Sequence, residues 1–247
     1  MCLKKCYQVF AIVMSVAFLQ ACAVTDKQQN QWLQSGQSLI NRLHQQPLTE
    51  QEMATGFKQL LSIGSDRVVN QLGRKNAYLN DEAIHITLPK NLQKVHNSLK
   101  KVGLEKYTIE LEEKMNRAAE VAAPKAKKLF WNAIKDMRWQ DVKSIYQGED
   151  NSATLYFKNK MSPSLRKMLF PVINKTLADV GVVKLYKNTL KKYHTIPFVP
   201  PIKDDLETYV LEKSIEGIFF YLEKEEAAIR NNPQKRTTEL LKRMFSN

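Results

Sequence analysis

Residues 105–137 read EKYTIELEEKMNRAAEVAAPKAKKLFWNAIKDM, and this stretch decides the fold class. Its apolar residues recur with the period of a helix, through Leu111, Met115, Ala118, Ala119 and Ala122, and no alternating pattern runs through it. Pro124 has no N–H and clashes with the carbonyl four residues back, so it should kink this helix or divide it in two. Toward the N-terminus, residues 90–102 read as a helix ended by Gly103. Before it, Ala83 to Leu88 alternates with period two and places Ile84, Ile86 and Leu88 on one face. Further back, Thr49 and Glu52 have the spacing of a capping box. The helix they open runs through Phe57, Leu60, Leu61, Val68, Val69 and Leu72 to Gly73, and Gly64 is the place where it would break. Trp32, Leu39, Ile40 and Leu43 mark an earlier amphipathic stretch.

The C-terminal half continues in the same way. Trp139, Val142, Ile145 and Tyr146 make a short helix closed by Gly148. Asp150 is placed to cap a helix holding Leu155 to Phe157, and Ser162 with Pro163 at the first helical position starts another. Pro197, Pro200 and Pro201 mark an extended crossing. Asp204 then opens a long helix through Tyr209, Ile215, Ile218, Phe219 and Leu222 to Arg230. Asn232-Pro233 caps a last helix with an apolar face of Leu240, Leu241, Met244 and Phe245. One alternating segment cannot make a sheet. The expectation is an all-α, single multi-helix bundle with at most one minor extended segment near 83–88.

The N-terminus reads as an address. Lys4 and Lys5 precede an apolar run from Val9 to Leu19 that only Ser15 interrupts. That run is shorter than the about 20 residues a membrane span needs, and it fits the core of a secretory signal. Leu19-Gln20-Ala21-Cys22 closes it with the shape of a lipobox, although Gln20 is bulkier than the usual occupant. The competing reading is a cut near Ala21 by the ordinary signal peptidase, with Cys22 a stray thiol. Cys2 and Cys6 precede the cut, so Cys22 is the sole cysteine of the mature chain, which suits acylation better than a lone thiol in an oxidising compartment. Two or more acyl chains make such anchoring effectively permanent. Ala23 follows the cysteine in place of the aspartate that favours inner-membrane retention, so the periplasmic face of a bacterial outer membrane is the expected location. The organisation is then a signal peptide over 1–21, lipidated Cys22 with a polar tether over 22–31, and a single helical domain over 32–247.

The whole chain carries a net charge of +13. Losing Lys4 and Lys5 leaves 36 basic against 25 acidic residues, or +11. Such a balance suits phospholipid headgroups, peptidoglycan carboxylates or an acidic protein. Nucleic acid gives the same charge signature but does not fit a periplasmic address. The basic residues read as spread along the chain, so solubility alone accounts for them equally well.

Chemistry-bearing motifs are few. His44, His85, His96 and His194 show no pairing at i, i+4, and no metal or cofactor is implied. Ser98 to Lys101 and Ser164 to Lys167 fit SxxK but lack its companion motifs, which makes them coincidences. Two polar constellations remain. Asn116 and Glu120 lie four apart among Ala118, Ala119, Ala122 and Ala123, so Glu120 is a candidate for burial and would need a partner. Glu226 and Arg230 form an i, i+4 pair, and Arg236 is placed in the first turn of the last helix. These groups, with the Thr154 and Tyr156 hydroxyls, form either a structural salt-bridge lock or a binding or acid–base site, and the lock is preferred.

At these residues a resemblance becomes specific. Met115 to Glu120, Ala153 to Phe157, and Ile229 to Pro233 with Arg236 to Thr238 resemble recurrent motifs of domain-of-unknown-function family 4197. Tyr78 to Asp81 and Ile86 to Pro89 fit the same pattern, and the likeness runs from about Leu33 to Phe245. Asn151-Ser152 departs from it, where a more acidic, alanine-rich lead is usual. The resemblance implies an exported, often lipid-anchored protein of Gram-negative bacteria and supplies no reaction or catalytic residue. The expected function is a basic helical interaction module anchored through Cys22. A carrier of a lipid or other hydrophobic ligand is the alternative, and an enzyme using Glu120 with an arginine is third.

Overall fold

The Thr49 hydroxyl accepts the Glu52 N–H at 3.2 Å, and the Glu52 carboxylate accepts the Thr49 N–H at 2.9 Å. This capping box starts helix α1, Glu50–Leu72. The computed structural model describes residues 47–245, so the leader, Cys22, the tether and the stretch from Trp32 to Leu43 lie outside the described residues. Gly64 does not break α1. The stripe Phe57, Leu60, Leu61, Val68, Val69 and Leu72 is buried on both sides of it, and that burial outweighs the about 1 kcal/mol a mid-helix glycine costs.

Helix α2 spans Lys90–Lys100 and ends in a turn where Gly103 adopts φ +72°. Helix α3, Lys106–Ala122, is separated by a 3₁₀ turn (Ala123–Ala126) from α4, Lys127–Lys135, so Pro124 divides the pattern in two. Helix α5 is Trp139–Tyr146, and α6 runs unbroken through Ser152–Asp179. Gly181, at φ +82°, turns the chain into α7, Val182–Tyr193. After the proline-rich crossing come α8, Leu206–Asn231, a 3₁₀ turn (Pro233–Lys235) and α9, Glu239–Met244.

Three expected boundaries are corrected. Pro163 does not start a helix but lies inside α6, as does Pro171. The buried stripe Phe157, Met161, Leu165, Leu169 and Ile173 keeps i, i+4 spacing across both prolines. The carbonyls they deprive of partners, on Asn159 and Lys167, belong to exposed residues that water reaches. The long helix is capped by Asp205, which accepts the Thr208 N–H at 3.0 Å, and not by Asp204. Asn232 caps only the 3₁₀ turn, and Thr238 caps α9, so Arg236 precedes the last helix.

The packing is helix on helix. Helix α8 lies against both α1 and α6, α3 packs on α6, α7 and α8, and α9 closes onto α1. Phe130 sits at the centre, edge-on to Phe157 and Phe219 at centroid distances of 6.5 and 6.3 Å. From Thr49 on the chain forms one compact, all-helical unit, with no strand among the described residues. Ile84, Ile86 and Leu88 are all buried, as their alternation predicts, yet the segment pairs with no other strand.

Candidate functional site

Helix α3 replaces the missing strand. Glu112, Asn116 and Glu120 recur every four residues, so they line one face. The Glu112 carboxylate accepts the Leu88 N–H at 2.9 Å and contacts His85 Nε2 at 3.0 Å, while His85 Nδ1 lies 2.8 Å from the Leu79 carbonyl. The Asn116 amide accepts the Ile86 N–H at 2.8 Å and donates to the Ile86 carbonyl at 2.9 Å. Glu120, 1% exposed, accepts the N–H groups of Tyr78 and Leu79 at 3.2 and 3.4 Å. Its second oxygen takes Arg117 Nη1 at 2.9 Å. Three side chains thus hold the backbone of residues 78–88. The Tyr78 ring is wholly buried, and its hydroxyl donates to the Ser214 carbonyl at 2.9 Å. Burial, with the Glu120 charge beside it, pushes the Tyr78 phenol well above its ordinary range.

The second constellation is separate. Glu226 accepts the N–H groups of Ala153 and Thr154 at 3.0 and 2.8 Å and the Thr154 hydroxyl at 2.8 Å. It therefore caps α6 from another helix, where Asn151 supplies no side-chain cap and Asp150 instead bonds Asn231. Arg230 closes the network with two bonds to Glu226, at 3.1 and 2.9 Å, and one to the Ile145 carbonyl at 3.2 Å. Its guanidinium stacks over Phe57 and Phe245 at 5.4 and 5.7 Å. Arg236 turns back onto the end of α8 and donates to the carbonyls of Ile229 and Arg230. Tyr156 stands outside this network, half-buried, with its hydroxyl 3.0 Å from Lys160 Nζ. Nearby Asp141 lies below the usual carboxylate range; burial opposes that shift, and bonds from Arg138, Tyr156 and Lys160 outweigh it.

The polar groups singled out in the sequence therefore form two clusters. Glu120 meets Arg117 and not Arg230. Glu112, Arg117, His85 and Tyr78 were missed, although the spacing Glu112-Asn116-Glu120 and an arginine three residues before Glu120 were there to find. An open cleft of about 590 Å³ lies over Glu120, with Lys75, Asn76, Glu113, Lys114 and Arg117 around it. Its charges are mixed. The space beside Glu226, between Leu60, Phe130 and Phe157, amounts to about 10 Å³, room for one water at most. Among the described residues no cluster of three or more His, Cys, Asp or Glu is placed to hold a metal ion.

The charge is not spread as the sequence suggested. Between Ser152 and Tyr193, the pair α6–α7, nine basic residues stand against one acid, Asp179. The rest of the chain after residue 21 holds 27 basic and 24 acidic residues, which is close to balance. All nine basic residues are exposed. Three are neutralised: Lys160 by Asp141, Arg166 by Glu212 and Lys175 by Asp179. Lys158, Lys167, Lys184, Lys187, Lys191 and Lys192 enter no ion pair among the described residues. In α7 the buried set Val182, Leu185, Thr189 and Tyr193 leaves Lys184, Lys187 and Lys191 together on the opposite face. Exposed apolar residues accompany them: Leu155, Met168, Phe170 and Val183 on the helices, and Phe198 just beyond.

No curated protein and no solved structure matches this chain. A family model described as "Protein of unknown function (DUF4197)" matches residues 47–246. That span contains both buried clusters, the cleft and the basic helical pair, and it covers well over half of the sequence, so the chain belongs to the DUF4197 family.

Proposed function

We propose that this protein is a lipid-anchored interaction module of the cell envelope, held at the periplasmic face of the outer membrane by acylated Cys22. Its α6–α7 face engages an anionic partner: phospholipid headgroups, peptidoglycan or an acidic protein. The observation that carries this reading is the nine-to-one excess of exposed basic residues on one helical pair of an otherwise balanced chain. Each lysine held near an anionic surface is worth about 1 kcal/mol, so six uncommitted lysines suffice for salt-sensitive docking. The two buried clusters serve the fold, since each saturates backbone groups that would otherwise be stranded. No helix among the described residues is long and apolar enough to cross a membrane, which leaves the Cys22 lipid as the anchor in this reading.

The test uses a chain beginning at Ala23, so that no acyl group contributes to binding. It should sediment with anionic vesicles or with sacculi at low ionic strength, release as salt rises, and ignore neutral vesicles. Lys184→Glu, Lys187→Glu and Lys191→Glu together should abolish that binding without shifting the melting temperature. Salt-independent binding, or binding unaffected by the triple change, refutes the proposal.

A further inference from the structure

Phe198 combines two properties that nothing inside the protein explains. Its side chain is fully exposed (105%), more than any other large apolar residue among those described. Its backbone sits at φ +59°, a region that penalises any residue with a Cβ. The segment around it is Pro197-Phe198-Val199-Pro200-Pro201. Three of these five residues have no N–H, so the loop carries few backbone donors that would need water if it entered an apolar medium.

The loop is also placed at the end of the basic helix. Turns from Thr195 N–H to the Lys192 carbonyl (3.1 Å) and from Ile196 N–H to the Tyr193 carbonyl (3.0 Å) lead directly out of α7 into Pro197. Phe198 thus follows Lys191 and Lys192 within a few residues, at the end of the helix that carries the unpaired lysines. A sugar–peptide mesh would satisfy those lysines but offers no apolar phase to Phe198. An anionic bilayer offers both, headgroups for the ammonium groups and an acyl boundary for the ring.

We infer that the Pro197–Pro201 loop is a membrane-inserting tip, with Phe198 entering the boundary between headgroups and acyl chains of an anionic phospholipid bilayer while the α7 lysines hold its surface. This rests on the reading of α6–α7 as an electrostatic docking face and names its partner. From Cys22 to Thr49 the chain can span at most about 90 Å, a leash that keeps the helical body near the membrane carrying its anchor.

The experiment uses the mature chain, acylated at Cys22 and carrying Phe198→Trp, reconstituted into vesicles of phosphatidylglycerol or phosphatidylcholine with brominated acyl chains. The parent chain supplies the background of its own tryptophans. The added fluorescence should shift to the blue and be quenched in the anionic vesicles only, and Lys184→Glu, Lys187→Glu and Lys191→Glu should restore it. Phe198→Ser, in the chain beginning at Ala23, should weaken anionic-vesicle binding about tenfold, the loss expected for roughly one ring's worth of apolar burial. An unquenched residue 198 beside retained salt-sensitive vesicle binding overturns the insertion and leaves the docking face standing. Loss of both overturns both. Shielding of residue 198 only when an envelope protein is added assigns the loop to a protein partner and overturns the bilayer.

Discussion

Glu120→Ala removes the carboxylate that holds Tyr78 and Leu79, and its cost follows from what is left behind. The Tyr78 N–H is buried and gains no other partner, a loss of about 1–3 kcal/mol, and the half-buried Leu79 N–H adds a smaller amount. Arg117 contributes little, because 44% of its side chain is exposed and water solvates it once Glu120 is gone. The total is about 2–4 kcal/mol, which for a chain of this size lowers the melting temperature by about 4–16 °C. Urea and thermal unfolding followed by circular dichroism at neutral pH measure it directly. Arg117→Ala is the comparison and should cost less than Glu120→Ala, since Glu120 keeps both backbone bonds, although its buried carboxylate loses its cation. A melting temperature for Glu120→Ala within about 1 °C of the parent, together with lost partner binding, would refute the structural role and make the carboxylate part of a binding site.

Other perturbations separate the remaining arguments. Glu226→Ala strips the cap from α6 and leaves Arg230 buried and unpaired, so it should destabilise by about 3–5 kcal/mol, and an unfolding midpoint unchanged in urea would contradict the geometry. Pro163→Ala restores an N–H to an exposed, continuous stretch of α6 and should stabilise by about 1–3 kcal/mol; a loss of stability would mean the proline sets a bend that packing requires. Gly217→Ala places a methyl 2.8 Å from the Tyr78 ring and should cost about 1–3 kcal/mol, read from the same unfolding curves. Glu52 titrates at about 2 instead of 4.5, through bonds from the Thr49 backbone and hydroxyl and from Arg243. A lowered folded-state value means its contribution is present above pH 4.5 and is lost as pH falls toward 2. Glu52→Gln should therefore flatten the stability–pH profile within that window, and identical slopes for parent and variant would exclude the link.

What the sequence disclosed and what it hid divide along the range of the interactions involved. The Thr49–Glu52 box was readable because both partners lie within one turn, and Pro124 because its clash is with its own helix. The alternation of Ile84, Ile86 and Leu88 gave the correct face but not its partner, since side chains of a helix some thirty residues on satisfy the backbone. Asp150 failed as a cap because Glu226, over seventy residues away, occupies that role. Pro163 failed as a helix start because the stripe from Phe157 to Ile173 is fixed by the helices facing it. Arg117, three residues from Glu120, was passed over for arginines near the C-terminus that were already committed to Glu226 and to carbonyls at the end of α8. The lysine-rich pair escaped a different way, because a charge summed over the whole chain conceals where it is concentrated.

The ladder of Glu112, Asn116 and Glu120 also dictates an order of assembly. These acceptors share one face only when α3 is helical, so the N–H groups of Tyr78, Ile86 and Leu88 have no native partner until that helix exists, whereas Asp81, Ile84 and His85 bond within the segment itself. If those bonds form after α3, weakening them should speed unfolding and leave the folding rate almost untouched, which a chevron plot of Asn116→Ala measures. In native-state hydrogen exchange the amides of Tyr78, Ile86 and Leu88 should therefore open together, as one foldon held by a set of side chains and not by a strand pair.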